Sequence, residues 1–209
     1  MASKYERYGK RLFDIVSSSV GLLLFSPLFA FVSLLIKMDS CGPIIFSQKR
    51  MGLNGELFKL IKFRSMAVLT DRLERPFNPG DESRVTRIGR FIRKTKIDEL
   101  PELLNVFVGD MSIVGPRPEV PKYRHIYIGE FALVLSLRPG ITDLASIKYR
   151  NEEELLRQSP DPEKMYREEI LPDKLGLCLK YKQMISFKTD LSIIFTTLGK
   201  ILWRHSKAC

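Results

Sequence analysis

An uninterrupted apolar run from Ile15 to Ile36, "IVSSSVGLLLFSPLFAFVSLLI", dominates the start of the chain and contains no charged residue. At about 1.5 Å per helical residue, it is long enough to cross a hydrocarbon core of about 30 Å. Pro27 lies in the middle of the run, where it removes a backbone donor and clashes with the preceding turn. The pattern therefore predicts a membrane-seeking helix that is kinked or broken near Ser26 and Pro27, because Ser26 can bond a freed carbonyl group.

Three interpretations of this run remain open from the residues alone. A secretory signal has a shorter apolar core and a small-residue cleavage site, whereas Lys37, Met38 and Asp39 follow here. A simple transmembrane helix fits the length and tolerates a proline. A re-entrant hairpin fits the break and the charge, because short basic flanks prefer the cytoplasmic side. Basic residues flank both ends of the run: Lys4, Arg7, Lys10, Arg11, Lys37, Lys49 and Arg50.

Two loosely alternating segments, "PIIFSQKR" and "ELFKLIKF", follow and are joined through "MGLNG". Asn54-Gly55 is a strong hairpin signal, so the pattern predicts a small antiparallel pair that leads to Lys62 and Arg64. The polar, turn-rich residues 71–83 predict a loop.

Helical spacing dominates the remaining chain. Apolar residues between 84 and 108 keep intervals of three and four, which predicts one helix or two, with Pro101 in the first turn of the second. A similar pattern from Leu191 to Leu202 predicts a C-terminal helix capped by Asp190, which packs in the core or lies along a membrane surface. The fold class expected is α+β, mainly helical.

Charge and cysteine content narrow the function. The chain carries 34 basic and 24 acidic residues, which predicts an anionic partner such as nucleic acid, a phosphorylated metabolite or anionic lipid. Three widely spaced cysteines indicate a reducing compartment rather than a disulfide framework. The two histidines have no cysteine or acid at ligand spacing, so the sequence does not favour a zinc site.

An adjacent acid pair, Asp98 and Glu99, stands out in this basic context. Acids near a helix start can simply be favourable end charges. The alternative is phosphate chemistry, in which one carboxylate attacks phosphorus and the other holds Mg²⁺. The bases expected around the pair are Lys62, Arg64, Arg93 and Arg117. Arg117 lies between Pro116 and Pro118 and could be held ready for a phosphate, or could mark a stiff surface turn.

Three function classes compete on these residues. The first is an Mg²⁺-dependent enzyme that acts on a diphosphate at the membrane. The second is a membrane-tethered binding module, in which the acids only cap a helix and binding weakens steeply with salt. The third is an ordinary glycosyltransferase, which would transfer a sugar without its phosphate and would therefore release UDP, not UMP, from a UDP-sugar.

Several segments resemble the bacterial sugar transferases that act as monotopic polyprenyl-phosphate phosphoglycosyl transferases. The similar segments are "KRLFDIVSSSVGLLLFSPLF", "FKLIKFRSM", "RIGRFIRKTKIDELPELLNVFVGDMSIVGPRPE", "LRPGIT" and, more loosely, "YKQMISFKTDLSIIF". The resemblance implies transfer of a sugar 1-phosphate from a UDP-sugar to polyprenyl (undecaprenyl) phosphate with release of UMP. Such a reaction initiates the assembly of a polysaccharide, O-antigen or glycoprotein glycan.

The resemblance also implies roles for individual residues. Asp98 would be the nucleophile that carries a covalent phosphosugar, and Glu99 would bind Mg²⁺. Lys62 and Arg93 would contact phosphates, and the turn Pro116–Pro118 would lie at the nucleotide site. Ser26-Pro27 would break a re-entrant membrane helix, and Lys10 and Arg11 would lie at the membrane interface.

The expected organisation is a re-entrant membrane helix over 1–40 and a cytoplasmic catalytic domain over 41–209 that ends in an interfacial helix. We expect a protein of the bacterial inner membrane, on its cytoplasmic face, that does not bind nucleic acid and that could form a homodimer. One departure from the family pattern is present. Many relatives follow "RPGIT" with a Gly-Trp-containing stretch, whereas this chain has Asp143 and Leu144. Sugar preference could depend on this half, so no sugar is assigned.

Overall fold

The computed structural model describes residues 4–68 and 84–206, with side chains described as far as Ile201. The predicted loop over 71–83 therefore lies outside the described residues. Most described residues are helical. The α-helices are α1 Lys10–Leu24, α2 Ser26–Asp39, α3 Arg87–Thr95, α4 Glu102–Val108, α5 Leu144–Lys148, α6 Glu152–Gln158, α7 Pro162–Met165, α8 Leu171–Gln183 and α9 Phe187–Ser206. The mainly helical α+β class predicted from the sequence is confirmed.

The apolar run forms two helices rather than one. The turn Tyr5–Gly9 continues into α1, and α2 begins at Ser26 after a bend of 59°. Ser26 donates a hydrogen bond to the carbonyl of Leu23 at 2.8 Å, and Pro27 occupies the first turn of α2, where its missing N–H costs little. The predicted break at Ser26-Pro27 is confirmed. Within the described residues, no single helix is long and apolar enough to cross a bilayer, although this bent pair satisfies both criteria when its helices are taken together.

The predicted hairpin is also confirmed. Strands β1, Ile45–Met51, and β2, Leu57–Phe63, pair antiparallel, with Ile45 opposite Phe63. Asn54 and Gly55 both have positive φ in the connecting turn, as an Asn-Gly hairpin signal requires.

A second, shorter pairing lies deeper in the protein. Strands β3, Ser112–Val114, and β4, Gly140–Thr142, run parallel, and Val114 is completely buried. Buried side chains from α8 and the start of α9, including Tyr181 and Ile193, pack against β3. These three-residue strands are too short to show a clear pattern in the sequence.

Both arms of the bent pair pack on one body. Val32 and Ile36 of α2 contact Phe63 and Ile92 in a buried cluster. On the α1 side, Asp14 is buried and accepts hydrogen bonds from the Ser112 hydroxyl and the Ile113 amide, each at 2.9 Å. The core therefore includes the apolar N-terminal segment, and the division at residue 40 into two domains stays a prediction.

The predicted cap of α9 is wrong. The helix begins at Phe187, and the Ser186 hydroxyl accepts from the amide of Thr189 at 3.2 Å, as a capping residue does. Asp190 lies one turn inside the helix, fully buried, where it accepts a hydrogen bond from Lys10 at 2.7 Å. A long-range charge partner thus explains the position of Asp190.

Candidate active site

The acid pair lies in a short 3₁₀ turn, Ile97–Glu99, between α3 and α4. Helix α3 stops at Lys96, whose positive φ of 61° redirects the chain, and Ile97 then packs on the cluster around Val32 and Phe63. This anchoring turns Asp98 inward, so that only 9% of it is exposed. The sequence predicted the acids at a helix start, but they precede α4 by three or four residues.

Strand β2 supplies the first cation of the site. The side chain of Asn105 on α4 ties this strand down, because its Oδ1 accepts from the Ile61 amide at 3.0 Å and its Nδ2 donates to the Lys59 carbonyl at 2.8 Å. Lys62 then reaches inward from the same strand. Its Nζ donates to Oε1 of Glu99 at 2.7 Å and lies 3.1 Å from Oε1 of Glu102.

The second cation comes from the Pro-Arg-Pro turn that follows β3. Hydrogen bonds to β4 hold this turn, since the Gly140 amide donates to the Pro116 carbonyl at 2.8 Å. The Arg117 guanidinium donates to Oε1 of Glu99, the same oxygen that Lys62 binds. Residues separated by up to 55 positions therefore converge on a single carboxylate oxygen.

Because both cations bind Glu99, the two adjacent acids have different electrostatic environments. Burial alone would raise the pKa of Glu99, but Arg117, Lys62 and Lys96 outweigh burial and hold that pKa well below its usual range. Glu99 in turn raises the pKa of the Arg117 guanidinium. Both groups are therefore charged at neutral pH.

Asp98 has the opposite environment. Burial, followed by repulsion from Glu99, raises the pKa of Asp98 to about 6, although Lys62, Lys96 and Arg117 pull it down. Its Oδ1 is buried and has no hydrogen-bond partner among the described residues. A buried, unpartnered carboxylate oxygen beside two cations is poorly solvated, which suits a nucleophile.

Glu102 is a third acid of the site that the sequence analysis missed. It is 1% exposed, and burial raises the pKa of Glu102 to about 7, with Lys62 opposing the shift. A signal was present, because Glu102 follows Asp98 by four residues and Glu99 by three, which are the spacings of neighbours on one helical face.

Two of the predicted phosphate-binding arginines make other contacts. Arg64 is 5% exposed and donates to the carbonyl groups of Ser40 and Cys41 at 2.7 and 2.8 Å, so it joins the end of α2 to β2. Arg93 pairs with Glu153 on α6. The structure therefore brings Lys62 and Arg117 to the acid pair, whereas phosphate binding by Arg64 and Arg93 stays a prediction.

The two basic residues predicted at the membrane interface also have protein partners. Lys10 donates to the Tyr181 hydroxyl at 2.9 Å as well as to Asp190. Arg11 donates to the carbonyls of Val106 and Phe107 at the end of α4, at 2.7 and 2.8 Å. These contacts fasten α1 to the body, and the interfacial role of both residues stays a prediction.

The carboxylates of the site are candidate ligands for the predicted Mg²⁺. Residues 4–68 and 84–206 contain no group of three or more His, Cys, Asp or Glu side chains placed to hold a metal. Mg²⁺, however, usually binds one or two carboxylates and completes its shell with waters and substrate phosphates. Glu99, which is charged and carries both cations on Oε1, and the orphan oxygen of Asp98 fit this pattern.

The chain is similar to known proteins over most of its length. A sequence model described as "Bacterial sugar transferase" matches residues 5–204. The chain is 38% identical to "Undecaprenyl-phosphate glucose phosphotransferase" of Komagataeibacter xylinus over 98% of its length, although it spans only 38% of that protein. It is 37% identical to "UDP-glucose:undecaprenyl-phosphate glucose-1-phosphate transferase" of Caulobacter vibrioides, covering 92% of this chain and 69% of that one.

A relative named for a different sugar is equally similar. "Undecaprenyl-phosphate galactose phosphotransferase" of Salmonella typhimurium is 40% identical over 73% of this chain and 35% of its own length. These matches confirm the resemblance read from the motifs around the acid pair and the prediction of a transferase. The chain belongs to the bacterial sugar transferase family.

Proposed function

We propose that the protein transfers a hexose 1-phosphate from a UDP-hexose to undecaprenyl phosphate and releases UMP. The relatives are named for UDP-glucose, glucose and galactose with this lipid phosphate, which supports the substrate class and leaves the hexose open. The observation that carries the proposal is Asp98, whose buried Oδ1 has no hydrogen-bond partner among residues 4–68 and 84–206 and feels the charges of Lys62, Lys96 and Arg117. A carboxylate in such a place is an activated nucleophile.

In the first step, a carboxylate oxygen of Asp98 attacks the sugar-side phosphorus of the UDP-hexose. An acyl phosphate bond forms, the bond from this phosphorus to the bridging oxygen breaks, and the electron pair leaves with UMP. Lys62 and Arg117 lie where the diphosphate charge would be, and Glu99 fixes both of them. Preorganised cations of this kind stabilise a charged transition state without moving.

In the second step, an oxygen of undecaprenyl phosphate attacks the phosphorus of the aspartyl phosphosugar. The acyl phosphate bond breaks, the hexosyl diphosphate lipid forms, and the Asp98 carboxylate is regenerated. Glu99 would hold Mg²⁺. When bound, this ion would neutralise the substrate diphosphate and stabilise the leaving UMP.

The exposed surface of the bent pair supports action at a membrane. Helix α1 buries the polar Asp14 and Ser18 and exposes Val16, Val20 and Leu23, the last of these at 79%. A surface helix of a soluble protein buries its apolar side chains and exposes its polar ones, so the distribution on α1 is reversed. Other large apolar side chains are exposed on α2, α4 and α9: Phe31, Leu34, Phe107, Val108, Phe195 and Leu198.

The contacts at the two ends of the pair favour a re-entrant path over a spanning one. Lys10, near the start, binds Asp190, and Asp39, at the end of α2, accepts from the Ile88 amide at 2.9 Å. Both ends therefore return to the same body, as a hairpin in one leaflet requires. We infer a position on the cytoplasmic face of the inner membrane, which the basic flanks also favour.

The test is Asp98→Asn, with release of UMP from a panel of UDP-hexoses as the readout. We expect the variant to lose UMP release and any covalent adduct, whereas wild type should show an added hexose phosphate on Asp98 by peptide mass spectrometry. The matched control is Glu130→Gln, an exposed acid on the body. Full activity of Asp98→Asn, an adduct on another residue, or release of UDP in place of UMP would contradict the proposal.

A further inference from the structure

The Pro-Arg-Pro turn has an unusual backbone. Proline has no N–H, so the only backbone donor among residues 116–118 is the amide of Arg117. Immediately before it, the strand pairing provides fixed contacts, since the Gly115 amide donates to the Thr142 carbonyl at 3.0 Å. The Arg117 amide lies beyond this pairing and needs a partner of its own.

Asp143 supplies that partner. It is 2% exposed and directly follows β4. Its Oδ2 accepts a hydrogen bond from the Arg117 amide at 3.3 Å, and also from the thiol of Cys178 at 3.6 Å. Its Oδ1 accepts from the Ser146 amide at 2.6 Å and so caps α5. One buried carboxylate therefore performs two separate tasks, one with each oxygen.

The contact with Arg117 leads directly to the acid pair. The backbone of Arg117 is held by Asp143, and its guanidinium is held by Oε1 of Glu99. With both ends fixed, the side chain has little freedom to leave the position beside Asp98. Loss of the backbone contact would remove the Asp143 acceptor from the partly buried Arg117 amide and would loosen the turn.

We propose that Asp143 is a positioning residue that fixes Arg117 against Glu99 for the donor half-reaction. The inference rests on the proposed function, in which Arg117 meets the diphosphate of the UDP-hexose.

The variant Asp143→Ser separates the two tasks. Serine is a good helix cap, so it keeps the acceptor for Ser146, but its short side chain has one oxygen and cannot also reach Arg117. Asp143→Ala removes the contacts with Arg117, Cys178 and Ser146 together. The matched control is Asp161→Ser, an aspartate that caps α7 through the Lys164 amide at 2.9 Å and makes no contact with the turn.

The first measurement is amide hydrogen exchange, resolved by fragmentation within the peptide that covers the turn. Because only Arg117 contributes an amide across 116–118, its exchange can be read without overlap. In Asp143→Ser, we expect Arg117 to exchange roughly ten- to a hundredfold faster, the gain typical of losing a hydrogen bond to a charged group. The Ser146 amide should change little, and Asp161→Ser should leave Arg117 unchanged.

The second measurement is kinetic. In a two-step exchange through a covalent enzyme, kcat/KM for each substrate reports only its own half-reaction. Asp143→Ser should lower kcat/KM for the UDP-hexose about tenfold and leave kcat/KM for undecaprenyl phosphate within about twofold, if the turn serves the donor.

Three outcomes would overturn the inference. They are an unchanged Arg117 amide, a uniform rise of exchange across the chain, and faster Arg117 exchange with an unchanged donor kcat/KM. Failure of the proposed function would be distinguishable, because wild type would then release no UMP from any UDP-hexose whatever the Arg117 amide does.

Discussion

At the scale of single residues, the site assigns opposite electrostatic environments to two neighbouring acids. Oε1 of Glu99 accepts from both Lys62 and Arg117, so Glu99 stays charged, whereas Asp98 keeps a buried oxygen that has no hydrogen-bond partner in the described part of the chain. The pKa of Asp98 is raised and that of Glu99 is lowered. Pairs of titratable groups whose pKa values are driven apart are typical of sites where the two groups have different chemical roles.

The raised pKa of Asp98 predicts the acid limb of the pH profile. The carboxylate must be ionised to attack phosphorus, and its pKa of about 6 means that it is ionised above this pH and protonated below it. The rate should therefore fall through pH 6, approaching tenfold per pH unit further down. The suitable measurement is the burst of UMP without lipid acceptor, because the diphosphate of the UDP-hexose stays ionised over this range and undecaprenyl phosphate is absent. A burst rate that is flat from pH 7 to pH 5 would contradict a raised pKa of Asp98 in the working site.

Lys62 also predicts a stability effect, because its ammonium group lies between two buried acids. Lys62→Met would remove the ammonium group that pairs with the carboxyl groups of both Glu99 and Glu102. This loss should lower the free energy of unfolding by about 3–5 kcal/mol. Because Lys62 opposes the raised pKa of Glu102, Glu102 should take up a proton at neutral pH in Lys62→Met, so adding Glu102→Gln should recover part of the loss only at alkaline pH, where Glu102 would otherwise be charged beside Glu99. Denaturant unfolding of both variants in detergent measures the effect.

The control for this comparison is Lys59→Met, a change of the same chemistry at an exposed position on the same strand, β2. It should cost less than about 1 kcal/mol. Equal losses at positions 59 and 62, or no recovery from Glu102→Gln at alkaline pH, would show that Lys62 does not separate these acids.

At the scale of helices and strands, the features predicted from the sequence are those that a few neighbouring residues determine. Asn54-Gly55 fixed the hairpin, and Ser26-Pro27 fixed the break, because each pair sets the backbone where it stands. Asp190 shows the limit of such reasoning. Its spacing suited a helix cap, but its partner Lys10 is 180 positions away and no local pattern could indicate it. The interior position of Asp190 follows from how α1 crosses α8 and α9.

This crossing predicts a large cost for removing Asp190. Its carboxylate accepts from Lys10 at 2.7 Å, from the Tyr5 hydroxyl at 2.7 Å and from the Tyr181 hydroxyl at 2.6 Å. Asp190→Ala would leave the ammonium of Lys10, largely shielded from water, without its counter-charge. We expect a loss of about 3–5 kcal/mol in the free energy of unfolding, measured by denaturant unfolding in detergent.

A matched exposed pair provides the comparison. Lys122 and Glu163 are 2.9 Å apart but well exposed. Because Glu163 also accepts from the hydroxyl of the buried Tyr123, the comparison removes the lysine, and Lys122→Ala should cost about 1 kcal/mol or less. Similar costs for Asp190→Ala and Lys122→Ala would mean that the contact between α1 and α9 adds little to stability.

At the scale of the whole molecule, the site could be predicted in part. The acid pair, Lys62 and Arg117 were identified from their types and from the family resemblance, and the structure brings them together. Arg64 looked equally suitable in sequence, but it joins β2 to the end of α2. Glu102 was overlooked because its burial depends on packing between α4 and β2. Some basic residues face the acids and others hold the backbone. Tertiary distances decide between these positions, and the spacing of residues along the sequence does not give those distances.

The path of the N-terminal segment leads to a prediction about the whole molecule in its membrane. If the bent pair is re-entrant, the residues before α1 and after α2 lie on the same side as the body. Cys41 is exposed just after α2 and serves as a native reporter, whereas Cys178 is buried. Tyr8→Cys supplies a reporter before α1, at a side chain 71% exposed, and Glu130→Cys reports on the body. Cys209→Ser removes the remaining thiol.

A membrane-impermeant maleimide applied to sealed vesicles of known orientation should label positions 8, 41 and 130 from one side only. Leu24→Cys, at the exposed apolar bend, should stay unlabelled until detergent is added, because lipid excludes the charged reagent. Labelling of positions 8 and 41 from opposite sides would mean that the segment spans the bilayer. The contacts of Lys10 with Asp190 and of Asp39 with Ile88 could then not both persist, since they attach the two ends to one body. The labelling pattern thus tests the membrane path and the fold of the N-terminal segment together.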